Sequence, residues 1–569
     1  EFLAAVGRGD TERAAQLTDA PPSAKTALDQ ARSALEPTSA SAEIGEVQEP
    51  GGAAGAKVSY RLTWQLPHDR TWTYSSAMEL DPAEDGWTVR WEPSVLHPSL
   101  GAGHTIALRE VAPELAPVLG RDDRKLLAPE NVVSILLYPA EATSDGGLTS
   151  VAGSLAGALG QFDDSITEKS IVEGTEKVKK KDGHYLVAAL RESDYLTVKP
   201  EIYALPGVRF TQRERLLAPT PDFGLHVLRG IRSLVEEQVA GRAGWRIVGV
   251  DPSGAETAVL HDQPAEPSDA VSTTLSYRAQ ESAERAVDEV DEPAAMVALQ
   301  ASTGDILAVA QNAGADEQGP IALTGRYPPG STFKIATALA GLSAGKVKPE
   351  TTVDCPGTTT IGGRVIPNDD RFELGKVPFS TAFARSCNTT FAWLATELPA
   401  GALTAAAGDL GIGADFEIPG ITTITGSAPP ADNVVGQAAN GFGQGTVLAS
   451  PFGMALAAAT VVTGRTPTPR ILSDQRVKAT RLGRPLPASQ AEALRSMMRK
   501  VVTDGSAGTL ASLRDVHGKT GTAQFGDGTN SHGWFVGFQG DLAFAVLLVG
   551  AGSSQPAVDA TQRFLTGLD

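Results

Sequence analysis

The sequence predicts a multidomain α+β protein whose final part is one sheet carrying an inserted helical lobe. Its 569 residues suggest about three or four domains at ordinary domain sizes. Apolar periodicity after residue 270 runs strands, then helices, then strands. A Pro- and acid-rich stretch, HDQPAEPSDA (261–270), reads as a linker just before that pattern.

The first hundred residues look like a small α+β unit. Residues 1–18 have helical spacing, with Phe2, Val6 and Leu17 among the apolar positions. KVSYRLTWQL (57–66) alternates, with Val58, Tyr60, Leu62 and Trp64 on one face of a strand. RTWTYSSAMEL (70–80) and GWTVRWEP (86–93) follow as further strands. Trp64, Trp72, Trp87 and Trp91 all fall here and read as core packing. Residues 105 to 265 are mixed, with a helix expected over FGLHVLRGIRSLVEEQV (223–239) and no catalytic constellation. After the linker, AAMVALQASTGDILAVAQ (294–311) reads as two apolar strands about a Ser-Thr-Gly-Asp turn. An Ala-rich helical region spans 330–500. VHGKTGTAQF (516–525), HGWFVGF (532–538) and LAFAVLLVG (542–550) return to strands.

Composition excludes several classes. A net charge of −19 argues against a nucleic-acid partner, because phosphate binding wants the opposite sign. The one basic run, Lys179-Lys180-Lys181, reads as a solvated turn. Two cysteines, Cys355 and Cys387, exclude a disulfide-rich scaffold and a multi-cysteine metal site, and leave open a single bridge between them. No apolar run approaches the roughly 18 to 20 residues of a membrane span.

The segment YPPGSTFK (327–334) carries the chemistry. Pro328, Pro329 and Gly330 cannot continue a helix, so a helix is expected to start at Ser331. The run behind it, IATALAGL (335–342), is apolar nearly all round and should be buried. Ser331 then sits in the first turn, near free N–H groups at the positive end of the dipole. Lys334 lies one turn on, beside it. A buried ammonium is costly, whereas a buried neutral amine beside a serine is a nucleophile with its base. Ser-x-x-Lys alone is weak, with roughly two chance matches in a chain this long. Ser343 and Lys346 are such a match, at the end of the same helix, and read as structural. Two further motifs strengthen the first: Ser386-Cys387-Asn388 in ARSCNTTFAWLA, and Lys519-Thr520-Gly521 in HGKTGTA, a triplet expected on the order of 0.1 times by chance.

Together these motifs resemble the penicilloyl-serine transferases, that is, penicillin-binding proteins and serine β-lactamases. STTLSYRAQESAERAV, VALQASTGDILAVA and GFGQGTVLASPFGMALAAATVV (441–462) resemble the penicillin-binding branch. The first hundred residues, ending WEPSVLHPSL, are similar to the NTF2-like extension of the staphylococcal methicillin-resistance protein. The middle more loosely resembles the pedestal or dimerisation domain of class B penicillin-binding proteins. The resemblance thus implies an NTF2-like domain over 1–104, a pedestal over 105–265 and a DD-peptidase/β-lactamase-like transpeptidase domain with an antiparallel sheet and helical lobe over 266–569.

It also implies roles. Ser331 attacks the penultimate D-alanine carbonyl of a peptidoglycan stem peptide, with Lys334 as general base. Ser386 passes a proton to the leaving D-alanine, and Asn388 fixes Lys334 and binds substrate backbone. The charge of Lys519 helps hold Lys334 neutral and, with Thr520, holds the terminal carboxylate. Gly521 leaves room for the substrate. Backbone N–H groups of Ser331 and Thr522 form the oxyanion hole. Cys387 is a reactive thiol, packs as a small apolar group or pairs with Cys355. No metal and no cofactor are implied. Partners would be stem peptides, β-lactams, a glycan polymerase and division or elongation proteins. The location would be the extracytoplasmic membrane face, through an anchor preceding Glu1. The N-terminal extension is compatible with a resistance-type enzyme of low β-lactam affinity, a phenotype that the domain by itself does not assign.

Alternatives of other classes fit less well. A β-lactamase of class A needs a glutamate loop, and Glu397 in TELPAG lacks the matching Asn. A β-lactam sensor would share the fold without turnover. A phosphate-binding loop ending Gly518-Lys519-Thr520 would want glycine at position 513, which is Leu513. The eight histidines show no His-Glu-x-x-His pair of a metal hydrolase.

Overall fold

The computed structural model describes residues 1–49, 55–84, 86–142, 147–178, 183–526 and 528–568. The Lys179-Lys180-Lys181 run lies outside them. The chain divides into two compact units, one of residues 1–115 with 240–269, the other of residues 116–239 with 270–569.

The first unit begins with two helices where one was expected, Phe2–Arg8 and Thr11–Gln16. Gly9 takes φ 79° and ends the first, and the Asp10 carboxylate accepts the Arg13 N–H to start the second. A third helix, Pro21–Leu35, buries Ala24, Leu28, Ala31 and Leu35 along one stripe. An antiparallel sheet of Ser39–Gln48, Ala56–Leu66, Arg70–Ala83 and Gly86–Arg90 follows, paired in chain order. Val58, Tyr60, Leu62 and Trp64 face the core as the alternation predicts, and Trp72 and Trp91 join them. Trp87 does not: it is 48% exposed. It lies opposite Pro82 at the end of the edge hairpin, where both strands leave the core. The expected linker is also partly strand. His261–Gln263 close the strand Glu256–Gln263, which pairs with Gly244–Val250, and that in turn with Thr105–Val111.

The second unit holds the helix expected over 223–239 as Leu225–Val239. A second sheet is centred on the long strand Lys125–Leu137, paired with Val118–Leu119, Tyr185–Arg191 and Val208–Leu217.

Its catalytic portion is a helix α1 (Tyr277–Asp288), a strand pair β1 (Ala294–Gln300) and β2 (Ile306–Gln311), a helical lobe, and three strands β3 (Val516–Phe525), β4 (Asn530–Gln539) and β5 (Leu542–Leu548). They make one antiparallel sheet in the order β2-β1-β5-β4-β3. Strands β1 and β5 are buried almost throughout, which is why they read as continuous apolar runs rather than alternating ones. Strand β3 is an edge, so one row of its backbone groups faces away from the sheet.

Within the lobe, Ser331 precedes the α-helix rather than opening it. Gly330–Phe333 form a 3₁₀ turn, and helix α2 runs Lys334–Ser343. The turn is forced by its surroundings. Gly330 has φ 52°, and a Cβ there would meet Thr522 O at 2.7 Å. Its N–H donates to Gly443 O at 2.9 Å, while Trp534 Nε1 donates to Pro328 O at 3.0 Å. The helices α3 (Phe379–Ala384) and α4 (Asn388–Thr396) flank the second motif.

Candidate active site

Three elements converge. The 3₁₀ turn and α2 bring Ser331 and Lys334, the link between α3 and α4 brings Ser386 and Asn388, and the edge strand β3 brings Lys519, Thr520, Gly521 and Thr522. Lys334 Nζ lies 2.9 Å from Ser331 Oγ and donates to Ser386 O at 2.8 Å and Asn388 Oδ1 at 2.7 Å; Ser386 Oγ is 3.2 Å away. Lys519 Nζ donates to Ser386 Oγ at 3.0 Å and to Thr520 O at 2.9 Å. Ser386 Oγ therefore bridges the two lysines. Thr520 Oγ1 is 2.5 Å from Ser506 Oγ.

Both lysines are fully buried, and neither is paired with a carboxylate in this network. Burial pushes Lys334 well below the usual lysine range; the nearby Lys519 charge pushes the same way, and Asp369 opposes both. Burial alone pulls Lys519 down to about 7. Burial thus favours the free amine form of Lys334 next to a hydroxyl. Ser331, Ser386, Asn388 and Thr522 are partly exposed, so the cluster is open to a ligand.

Strand alternation orients the edge. The Gln444 amide lies against β3 with Nε2 donating to Gln524 O at 3.2 Å and Oε1 accepting from Gln524 N at 2.9 Å, once its oxygen and nitrogen are assigned by hydrogen bonding. Gln524 therefore turns its backbone groups to the free edge. Thr522, two residues back, does the same. Gly521 lies against the 3₁₀ turn, where a Cβ would meet Thr332 Cγ2 at 2.8 Å and Pro329 O at 2.9 Å. The crowding that requires glycine here comes from the protein's own turn.

The structure brings together all eight residues named from the sequence. It adds Gln444, Asn368, Asp369 and Ser506, of which only Gln444 had a signal, as the middle of a Gly-Gln-Gly run. Cys387 is bonded to Cys355, which decides among the three readings of that thiol. Glu397 sits 3.8 Å from Lys346 in an ion pair. Gly518-Lys519-Thr520 lies inside a strand, not in a loop entering a helix, so the phosphate-loop reading fails.

A serine hydroxyl against a buried lysine amine, beside a strand edge, defines an acyl-transfer enzyme of the serine type. Residues 294–564 match the penicillin-binding protein transpeptidase domain family, and residues 1–104 match the NTF2-like N-terminal transpeptidase domain family. Penicillin-binding protein 3 of Bacillus subtilis is 23% identical, over 86% of this chain and 80% of that protein. The peptidoglycan D,D-transpeptidase PbpA of Mycobacterium tuberculosis is 26% identical, over 43% of this chain and 58% of its own. Among solved structures, a chain from a peptidoglycan synthase complex has the same fold, with a TM-score of 0.59 at 22% identity over 82% of this chain and 92% of that one. The chain thus carries a penicillin-binding protein transpeptidase domain preceded by an NTF2-like N-terminal transpeptidase domain, and it resembles proteins named as penicillin-binding proteins and peptidoglycan D,D-transpeptidases.

Proposed function

We propose that this peptidoglycan D,D-transpeptidase works through an acyl-enzyme on Ser331. The observation that carries the reading is the set of partners around Lys334. Ser386 O and Asn388 Oδ1 can only accept hydrogen bonds. A neutral amine gives them its two N–H groups and turns its lone pair to Ser331 Oγ.

Ser331 Oγ adds to the carbonyl carbon of the penultimate D-alanine as its proton passes to Lys334 Nζ. The N–H groups of Ser331 and Thr522 stabilise the oxyanion. Collapse breaks the amide bond, and the proton travels from Lys334 by way of Ser386 Oγ to the departing amino group. The amine of a second stem peptide then attacks the ester, gives up its proton along the same path and leaves as the cross-linked amide. Lys519 and Thr520 receive the terminal carboxylate. A carboxylate beside Lys519 favours its charged form, which burial otherwise disfavours. A β-lactam opens on Ser331 by the same first step.

The wider reading follows from the substrate. The enzyme acts at the extracytoplasmic face of the membrane, tethered by an N-terminal anchor, beside a glycan polymerase and the division or elongation machinery. Residues 1–104 and 105–265 serve as NTF2-like and pedestal domains preceding the transpeptidase domain, 266–569. Likeness to a chain of a peptidoglycan synthase complex supports the partnership with a polymerase.

The test is transfer itself. A stem pentapeptide ending in D-Ala-D-Ala is supplied with a D-amino acid as acceptor, and released D-alanine and exchanged peptide are both quantified. Exchange by the native chain and none by Ser331→Ala supports the reading. Equal turnover by Ser331→Ala contradicts it.

A further inference from the structure

The second motif has a costly shape, and its middle residue and neighbours are tied to segments outside all three motifs. Ser386 has φ 62°, a left-handed conformation that a non-glycine residue adopts only when its surroundings impose it. Lys334 receives both the backbone oxygen of this residue and the side chain of Asn388, so the shape of this link sets where the amine's hydrogens go.

The end of α3 supplies part of the support, with Ser386 N–H donating to Phe383 O at 3.0 Å and Cys387 N–H to Ala382 O at 2.8 Å, and two buried devices adjoin it. Cys387, between the two functional residues, is bonded to Cys355, the last residue of the strand Thr352–Cys355, and both are fully buried. Asn368 is 2% exposed and uses its whole amide. Its Nδ2 donates to Pro356 O at 2.9 Å and Phe372 O at 2.8 Å, and its Oδ1 accepts the Thr389 N–H at 3.1 Å. Around them, Thr389 Oγ1 donates to Pro356 O at 2.9 Å, Thr390 Oγ1 to Asp354 O at 2.7 Å, and Asn388 Nδ2 to Pro367 O at 3.2 Å. Segments 354–356 and 367–372 thus form a cradle around the first turn of α4.

We infer that the Cys355–Cys387 disulfide and Asn368 are positioning residues for acyl transfer, holding Ser386 and Asn388 in register with Lys334. The inference rests on the Ser331 reading above. Without the bridge the link can relax out of its left-handed conformation, and Lys334 then loses acceptors that aim its lone pair. Misplacing such a group by about 1 Å costs on the order of 10²-fold in rate.

The test uses the full chain and a fluorescent penicillin. Thiols are first counted on the denatured, unreduced protein, and none is expected; two free thiols would overturn the inference. Acylation rate constants are then measured across pH, well below the melting temperature, for the native chain, Cys355→Ser/Cys387→Ser, Asn368→Ala and Asn368→Ser. Acylation is expected to fall about tenfold to a hundredfold in the double variant and in Asn368→Ala. The acid limb should move as well, because Ser386 and Asn388 then shift relative to Lys334, which otherwise faces Ser331, the Phe391 ring, Lys519 and Asp369. Asn368→Ser should recover part of the rate. Lower melting temperatures with unchanged rate and pH limb would mean a purely structural bridge and overturn the inference. If the double variant does not fold, the native chain is equilibrated with graded dithiothreitol. A rate that tracks the reduced fraction supports the inference, and one independent of it overturns it. Failure of the underlying reading looks different: the native chain itself would not be acylated at Ser331.

Discussion

Helix α2 and the turns at its two ends carry two Ser-x-x-Lys pairs. At one end, Lys334 is fully buried, within 3.2 Å of four oxygen atoms and pushed toward its neutral form. At the other, Ser343 Oγ donates to Gln490 Oε1 at 3.0 Å, and Lys346 is 46% exposed and sits 3.8 Å from Glu397. The spacing is the same, and the surroundings differ. A lysine beside a carboxylate in water is a solvated charge, whereas one stripped of water beside a second cation is pushed toward its basic form.

This contrast can be broken or sharpened in order of effect. Ser331→Ala should abolish acylation by a fluorescent penicillin, while Ser343→Ala keeps the native rate. Lys334→Ala should lower the acylation rate by about 10² to 10⁴-fold, the usual share of a general base, with Lys346→Ala unchanged. Lys519→Met should lower kcat/KM for carboxylate-bearing peptides by about 10² to 10³-fold. The same substitution removes a buried charge, and calorimetry should find the variant no less stable, or more stable by ~1–4 kcal/mol. Lys346→Ala loses only an exposed ion pair, and should change stability by ~0–1 kcal/mol.

The two buried lysines also set the pH response. Lys334 works when neutral, so the rate falls as pH drops through its lowered pKa. Lys519 works when charged, so kcat/KM falls as pH rises past about 7. A bound carboxylate favours the charged form, so the alkaline limb of kcat should lie higher than that of kcat/KM. Stability moves in one direction. An unfolded chain keeps the Lys519 proton to the ordinary lysine range and the folded chain loses it near 7, so stability should rise with pH between the two. Denaturant melts across that window check the sign.

Much of this was legible in the sequence because it rests on local patterns. Alternation marked the strand face of Val58, Tyr60, Leu62 and Trp64, and three short motifs named seven residues that, with Thr522 from the family resemblance, fold into one cluster. What escaped depends on contacts distant in the chain. Asn368 looks like any polar loop residue until Thr389, Pro356 and Phe372 close around it. Trp87 reads as core because apolar type says nothing of its position at the end of an edge hairpin. The break at Gly9-Asp10 was readable, since glycine followed by an N-cap aspartate is a stop and a start. The crowding behind Gly521 was not, because it is the turn before Ser331 that fills the space.

The central claim is that Ser331, and not another hydroxyl, becomes acylated. Intact-protein mass spectrometry over hours with a β-lactam, followed by peptide mapping, tests it most directly. The account expects one drug mass per chain on the peptide containing Ser331, stable over that time and absent from Ser331→Ala. An adduct on another residue, or one that vanishes quickly while free drug is consumed, would contradict it.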